Sequence, residues 1–428
     1  QPTEQTDDSV AVLMHAPGAE WAAGGGPAPR TGSPLRPGWL RLKAGAAHIE
    51  FYGGATVILE GPADLELVSR TQAYCARGKL RATVPPQAQG FTIASPAMDL
   101  VDRGTEFGVS VGAGDATEVH VFQGKVDLYD AGAGHDAAPR QALTTGQAAR
   151  RDGPGAVRPI AADPAAFRTA RDLADRATED TRQRQAAWRA ASAALAREPS
   201  VVAYYPFEPD HPWSRTLPDL ARADHPPAGA ARDGAVVGCG WVTSRWAGKH
   251  GLEFKRVSDR VRLHVPGEFA SLTLAAWVRV DALPNVNNSL LMADGWDEGG
   301  LHWQIGGDGM LILGIKAPPK VRNAHYHAPG VFTPDRLGQW VHLAVTYDQP
   351  AGVVTHYVDG AAVAQLPILF DVPLRIGNAE VGNWNTATRR DNVPVRHFSG
   401  CMDELLLFSR PLAEAEIERL YTQGRPPA

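Results

Sequence analysis

Strict alternation of apolar and polar side chains, broken every few residues by Gly, Pro or Asx turns, constrains this chain more than any other feature. It is plainest in Gln339-Trp-Val-His-Leu-Ala-Val-Thr-Tyr347 and in Val353-Val-Thr-His-Tyr-Val358. In the first run Val341, Leu343, Val345 and Tyr347 fall on one face, and Trp340, His342, Ala344 and Thr346 on the other. In the second, Val354, His356 and Val358 alternate with Thr355 and Tyr357, and Asp359-Gly360 supplies a tight turn. The largely apolar run 398–408 makes a third strand. A period of two predicts sheets that bury one face, and none of these runs carries a nucleophile or an acid/base pair.

Three zones follow. Residues 10 to about 150 are short alternating runs at 39–43, 48–51, 56–59, 64–67, 79–84, 91–93, 106–111, 118–122 and 125–129, punctuated by Gly and Pro. Such spacing predicts a sandwich or a short solenoid. Around residue 104, Gly104 supplies a turn, Asp102 and Glu106 satisfy backbone donors, and Phe107 faces the core. Residues 163–198 are rich in Ala and Arg, with Asp163 as N-cap, Pro164 at the first helical position and Pro199 as the stop. The stripe through Phe167, Ala170, Ala174 and Ala177 is broken by Thr181 and Arg184 before Trp188, Ala191 and Leu195. This helix is therefore a spacer or docks on a neighbouring domain rather than forming a coiled coil. Strand patterns return over 200–428 and close with a short helix whose apolar side is Ile417, Leu420 and Tyr421. The chain is thus mainly β: a β-domain over 1–155, a helical connector over 156–199, and a second β-domain over 200–428.

Composition bounds function. A chain of 428 residues exceeds what one core serves, and 44% hydrophobic with 21% charged residues is ordinary for globular protein. A formal net charge of -5 and the lack of a basic, aromatic-interleaved face argue against nucleic acid. No run of 18 apolar residues is present, so membrane attachment would come only through a segment outside this chain. The chain begins at Gln1, which fits a removed signal peptide or an omitted anchor. Cys75, Cys239 and Cys401 have no metal-binding spacing; Cys239 and Cys401 pair, or all three are small buried thiols.

Of the 11 tryptophans, eight follow residue 200. Trp277 and Trp340 alternate with apolar strand residues and read as core. Trp296 in Asp294-Gly-Trp-Asp-Glu-Gly299 and Trp384 in Gly382-Asn-Trp-Asn385 sit in polar, Gly-rich loops. An indole face flanked by Asp297 or Asn385 suits a sugar ring, whose C–H groups stack while the polar neighbours bind hydroxyls. The same residues also suit a protein partner, or lie tucked under a sheet edge. His325 and His327 share a face if extended and read as exposed loop histidines, with metal ligation as the second reading.

Two resemblances sharpen this. Gly45-Ala-Ala-His-Ile-Glu-Phe-Tyr-Gly-Gly-Ala-Thr-Val-Ile-Leu-Glu-Gly-Pro62, Val101-Asp-Arg-Gly-Thr-Glu-Phe-Gly-Val109 and Glu118-Val-His-Val-Phe-Gln-Gly-Lys-Val126 resemble the FecR-type extracytoplasmic domain over roughly 38–150. Tyr204-Tyr-Pro-Phe-Glu208, Leu272-Thr-Leu-Ala-Ala-Trp-Val278, Trp340-Val-His-Leu-Ala-Val-Thr-Tyr-Asp348, Tyr357-Val-Asp-Gly360 and Gly400-Cys-Met-Asp-Glu-Leu405 resemble the LamG-like, concanavalin A-type jelly roll over 200–424. The first resemblance implies a bacterial location outside the inner membrane and, in some members, sigma-factor regulation. The second implies carbohydrate or protein binding and a structural calcium, for which Glu208, Asp403 and Asp219 are the matching carboxylates. Glycoside hydrolases of similar fold carry Glu-x-Asp-x-x-Glu; here Glu208-Pro-Asp210 is followed by Trp213, so no catalytic strand is present. The expectation is a non-catalytic recognition protein of the cell envelope, periplasmic or at the cell surface. It binds a carbohydrate or glycoprotein through the jelly roll, coupled to transmembrane signalling. The alternative is a structural subunit that contacts only envelope protein partners.

Overall fold

A computed structural model describes residues 8–22, 29, 31–133, 138–153, 155–221, 233–384 and 394–426. They divide between Asp180 and Thr181 into two units, each with its own apolar core. Among these residues no helix is long and apolar enough to cross a membrane.

In the first unit, fifteen strands among the described residues form one continuous sheet. Its spine is the antiparallel pair Thr56–Ser69 and Gln72–Thr83. The sequence suggests two strands around Gly61-Pro62, but a register shift between Glu60 and Asp64 absorbs that interruption and one strand continues. Alternation buries Val57, Leu59, Ala63, Leu65 and Leu67 against Leu80, Phe107, Val109, Val119 and Val121. At the expected turn Gly104 has φ +89°, and its N–H donates to Asp102 Oδ2 at 2.7 Å. Glu106 differs from expectation: it pairs with Arg81 at 2.7 Å rather than capping the turn.

The connector helix begins later than Pro164. Asp163 caps a single 3-10 turn, Pro164–Ala166, accepting from the N–H groups of Ala165 and Ala166. Phe167 then turns into the sheet, stacking near His120 and Phe122 over Gly108, where an added Cβ would lie 2.7 Å from its ring. Helix α1 (Ala170–Leu195) starts behind a reciprocal cap: Thr169 N–H donates to Asp172 Oδ2 at 2.7 Å, and Asp172 N–H to Thr169 Oγ1 at 3.1 Å. Within the first unit its Leu173 packs on Ala46 and Ile58.

Among the described residues the second unit is a sandwich of two eight-stranded sheets. One sheet centres on Leu272–Ala282, Trp340–Asp348 and Ser399–Phe408; the other runs through Arg260–Phe269, Leu374–Val381, Asn287–Ala293, Leu301–Gly306, Leu311–Ile315 and Ala324–Ala328. Leu274, Ala276, Val278, Val341, Leu343 and Val345 from the first meet Leu301, Trp303, Ile305, Leu313 and Tyr326 from the second. The first sheet is covered on its outer face by the end of α1 and by helix α2 (Glu414–Gly424), with Leu195, Ile417 and Leu420 packed on Ala275, Ala344, Tyr357 and Leu406. Trp277 lies on that outer face, buried beneath Tyr421. Trp340 corrects the core reading: it shares the outer face and is half-buried, with Arg279 over its ring. All three cysteines are free and buried, and burial pushes the Cys239 thiol up to about 12.

Beneath the helices lies a buried ionic cluster. Trp277 pairs with Asp403 and Ala276 with Leu405, which leaves Glu404 as the extra residue of a β-bulge at φ +49°. A regular strand would send Asp403 and Glu404 to opposite faces; the bulge lets one guanidinium take both, with Arg245 at 2.8 Å from Asp403 and 2.5 Å from Glu404. Arg245 also donates to the Gly424 carbonyl at the end of α2. Lys249 binds Asp403 at 2.5 Å and lies 4.6 Å from the Trp188 ring, while Trp188 Nε1 and the Tyr204 hydroxyl donate to Glu404. Burial works against the charge on Glu404, but Arg245 and Lys249 outweigh it and hold its carboxyl below the usual range.

Breaking a buried pair by removing one partner costs about 3–5 kcal/mol, because the other charge is left without compensation. Asp403→Asn is expected to destabilise the second unit by that amount in urea unfolding followed by tryptophan fluorescence. A loss under about 1 kcal/mol, the range of an exposed pair, would contradict the cluster's role.

Candidate functional site

The carboxylates matched to a calcium site are already engaged. Lys249 Nζ lies between Asp403 Oδ1 at 2.5 Å and Glu208 Oε1 at 3.0 Å, and His250 takes the other Glu208 oxygen at 3.0 Å. Glu208 and Asp403 therefore do meet, around an ammonium. Asp219 serves the backbone, its Oδ1 accepting from Tyr204 N–H at 2.8 Å and Ala221 N–H at 2.9 Å. Among the described residues no group of three His, Cys, Asp or Glu is placed to hold a metal ion.

The two loop tryptophans converge on the other sheet. Strand Leu301–Gly306 sends Leu301, Trp303 and Ile305 into the core and so turns His302 and Gln304 to the opposite face. Strand Ala324–Ala328 buries Ala324, Tyr326 and Ala328 and exposes His325 and His327. These two histidines sit on a strand, where the sequence suggests a loop. With Trp296, Trp384, Arg396, Asn287, Asn323 and Ile312 they line a cleft of about 350 Å³.

His302 stands between the indoles, its ring 4.1 Å from Trp296 and 5.0 Å from Trp384. Trp384 is fixed by two hydrogen bonds of its own and one of its neighbour Asn383. Its Nε1 donates to the Ala293 carbonyl at 3.0 Å, its N–H to Asn383 Oδ1 at 2.9 Å, and Asn383 is itself anchored to the Val257 carbonyl at 2.7 Å. His302 Nε2 lies 3.2 Å from the same Ala293 carbonyl, which can only accept; Nε2 therefore carries the proton and Nδ1 is left as an acceptor. The floor is kept flat by Gly314, where a Cβ would press within 3.3 Å of His325 and 3.4 Å of Trp296. The cleft is thus lined by two indoles, three imidazoles and the amides of Asn287, Gln304 and Asn323, a donor and acceptor set matched to hydroxyls.

Asp297, expected beside Trp296, is exposed and is not among the lining residues; its carboxylate folds against Gly295. Asn385 lies outside the described residues. Sequence reasoning missed His302, Gln304 and Arg396. The signal for the first two was the alternation Leu301-His-Trp-Gln-Ile305, which places both polar residues on one face.

Burial, aided by the Arg396 charge, lowers His302 to about 3. A histidine whose folded pKa falls below its ordinary value of 6.5 contributes stability above that value, and the contribution is lost as pH falls toward the folded pKa. In the folded protein the His302 imidazole resonances should therefore stay unchanged between about pH 7.5 and about pH 5. A titration midpoint above 5 would contradict this burial.

The FecR protein family model matches residues 39–127, and Laminin_G_3, of the concanavalin A-like lectin/glucanases superfamily, matches residues 256–418. No curated protein matches this chain. Among solved structures the chain is similar to the binding domain of Paraclostridial Mosquitocidal Protein 1 (17% identity, 52% of each chain covered, TM-score 0.39). It is similar also to the binding domain of botulinum neurotoxin serotype G (14% identity, 52% of this chain and 50% of that one, TM-score 0.39). A third is domain 4 of AbnA, a GH43 extracellular arabinanase from Geobacillus stearothermophilus, in complex with arabinotriose (18% identity, 52% of this chain and 98% of that one, TM-score 0.38). The chain matches about half the length of the first two. Residues 39–127 carry a FecR domain and residues 256–418 a concanavalin A-like domain, in the order the sequence suggests.

Proposed function

We propose that this protein binds a carbohydrate in the cleft of Trp296, His302, His325, His327 and Trp384, without catalysis. The reading is carried by one observation: two indoles from separate loops converge on one outward sheet face with imidazoles and amides between them. Sugar rings present C–H groups to aromatic faces and hydroxyls to polar neighbours, and this cleft supplies both. Glycoside hydrolysis needs a pair of carboxylates, and the described lining residues include none. The FecR match supports placing this binding outside the inner membrane, with transmembrane signalling as the process it would serve.

A glycan array probed with the full chain is expected to give hits that Trp384→Ala or Trp296→Ala weakens at least tenfold, about 1.4 kcal/mol. A folded protein that binds no glycan would overturn this reading in favour of an assembly subunit making protein contacts alone. Hits unaffected by either substitution would place the binding elsewhere.

A further inference from the structure

The cleft also holds a cation that no carboxylate of the described residues neutralises. Arg396 is half-buried, and its guanidinium lies 4.4 Å from the centre of the Trp384 ring. A terminal nitrogen donates to Gln304 Oε1 at 3.3 Å, and its Nε is buried without an acceptor among the described residues. Among the described residues no carboxylate pairs with it, whereas Arg262, on the same sheet, is held by Asp294 at 2.6 Å and Glu380 at 3.2 Å. The described lining residues likewise include no acid: they are three histidines, three amides, two tryptophans, one isoleucine and this arginine.

An uncompensated, partly desolvated charge is unfavourable, and burial accordingly lowers the Arg396 pKa from its ordinary value. Where Arg245, Arg262 and Arg410 are neutralised by carboxylates of the protein itself, this one faces a cleft lined by aromatic rings. A planar guanidinium matches a carboxylate or sulfate group with two parallel N–H donors, and His325 and His327 stand at the exposed wall of the same cleft.

We infer that the ligand of this cleft is an acidic saccharide, whose carboxylate or sulfate is received by Arg396 while its ring stacks on Trp384 and Trp296. This rests on the carbohydrate reading above and specifies its chemical class. In a neutral glycan the same arginine would have only hydroxyls to engage, which leaves its charge uncompensated.

The test is calorimetric titration of the full chain with three oligosaccharides of one backbone: a neutral β-1,4-galacto-oligosaccharide, the same oligosaccharide oxidised at C6 to the uronic acid, and the same oligosaccharide sulfated at O6. At least one acidic probe should bind ten or more times tighter than the neutral one. That preference should shrink as salt is raised from about 50 to about 500 mM. Arg396→Gln should abolish the preference, and Arg396→Lys, which keeps the charge, should restore part of it. Which acidic probe binds tighter identifies the group as carboxylate or sulfate. Equal binding of neutral and acidic probes, or a preference that survives Arg396→Gln, would overturn this inference and leave the carbohydrate reading standing. Failure of all three probes, together with a blank glycan array, would overturn both.

Discussion

The second unit is organised by a decision about which sheet face meets water, and the buried cluster of Arg245, Lys249, Asp403 and Glu404 makes it. Two cations and two anions are removed from solvent only because each finds its partner, and those partners come from separate segments. Arg245 and Lys249 belong to the loop after Gly240–Thr243. Asp403 and Glu404 belong to a central strand, Trp188 to the connecting helix, and Gly424 to the closing helix. Holding them together covers one sheet of the sandwich with helices. The outer face of the other sheet carries the cleft.

The bulge at Glu404 is the local device behind this. An extended strand alternates its side chains, so consecutive carboxylates cannot normally share one guanidinium. One residue in the left-handed region, which costs on the order of 1–3 kcal/mol, brings both acids to Arg245. The two carboxylates that resembled calcium ligands thus perform a related task with a cation from the chain itself: Lys249 Nζ joins Glu208 to Asp403.

Much of this architecture was legible in the sequence because its signals are local. Alternation in 339–358 assigned Val341, Leu343 and Val345 to the core and His342 to the opposite face, where His342 lies buried under Trp277 and Tyr421. Polar, glycine-rich loops marked Trp296 and Trp384 as distinct from core tryptophans, and both line the cleft. What the sequence hid depends on long-range partners. Lys249 in a loop reads as solvated until Asp403, 154 residues away, is brought to it. Arg396 and His302 looked unremarkable because their significance lies in sharing a cleft, a property of strand order rather than of neighbouring residues. The start of α1 was misplaced for a simpler reason: the Thr169/Asp172 cap competes with Asp163-Pro164, and the room above Gly108 draws Phe167 into the sheet.

The central claim is that ligand enters the cleft between Trp296 and Trp384 and nowhere else on the sandwich. Indole Nε1 resonances of the full chain, followed by NMR during titration with the tightest-binding oligosaccharide, test it directly. The account predicts saturable shifts of Trp296 and Trp384, with Trp188 on α1 and Trp277 beneath Tyr421 unmoved. Shifts centred on the helix-covered face, or saturable binding that leaves Trp296 and Trp384 unchanged, would contradict it.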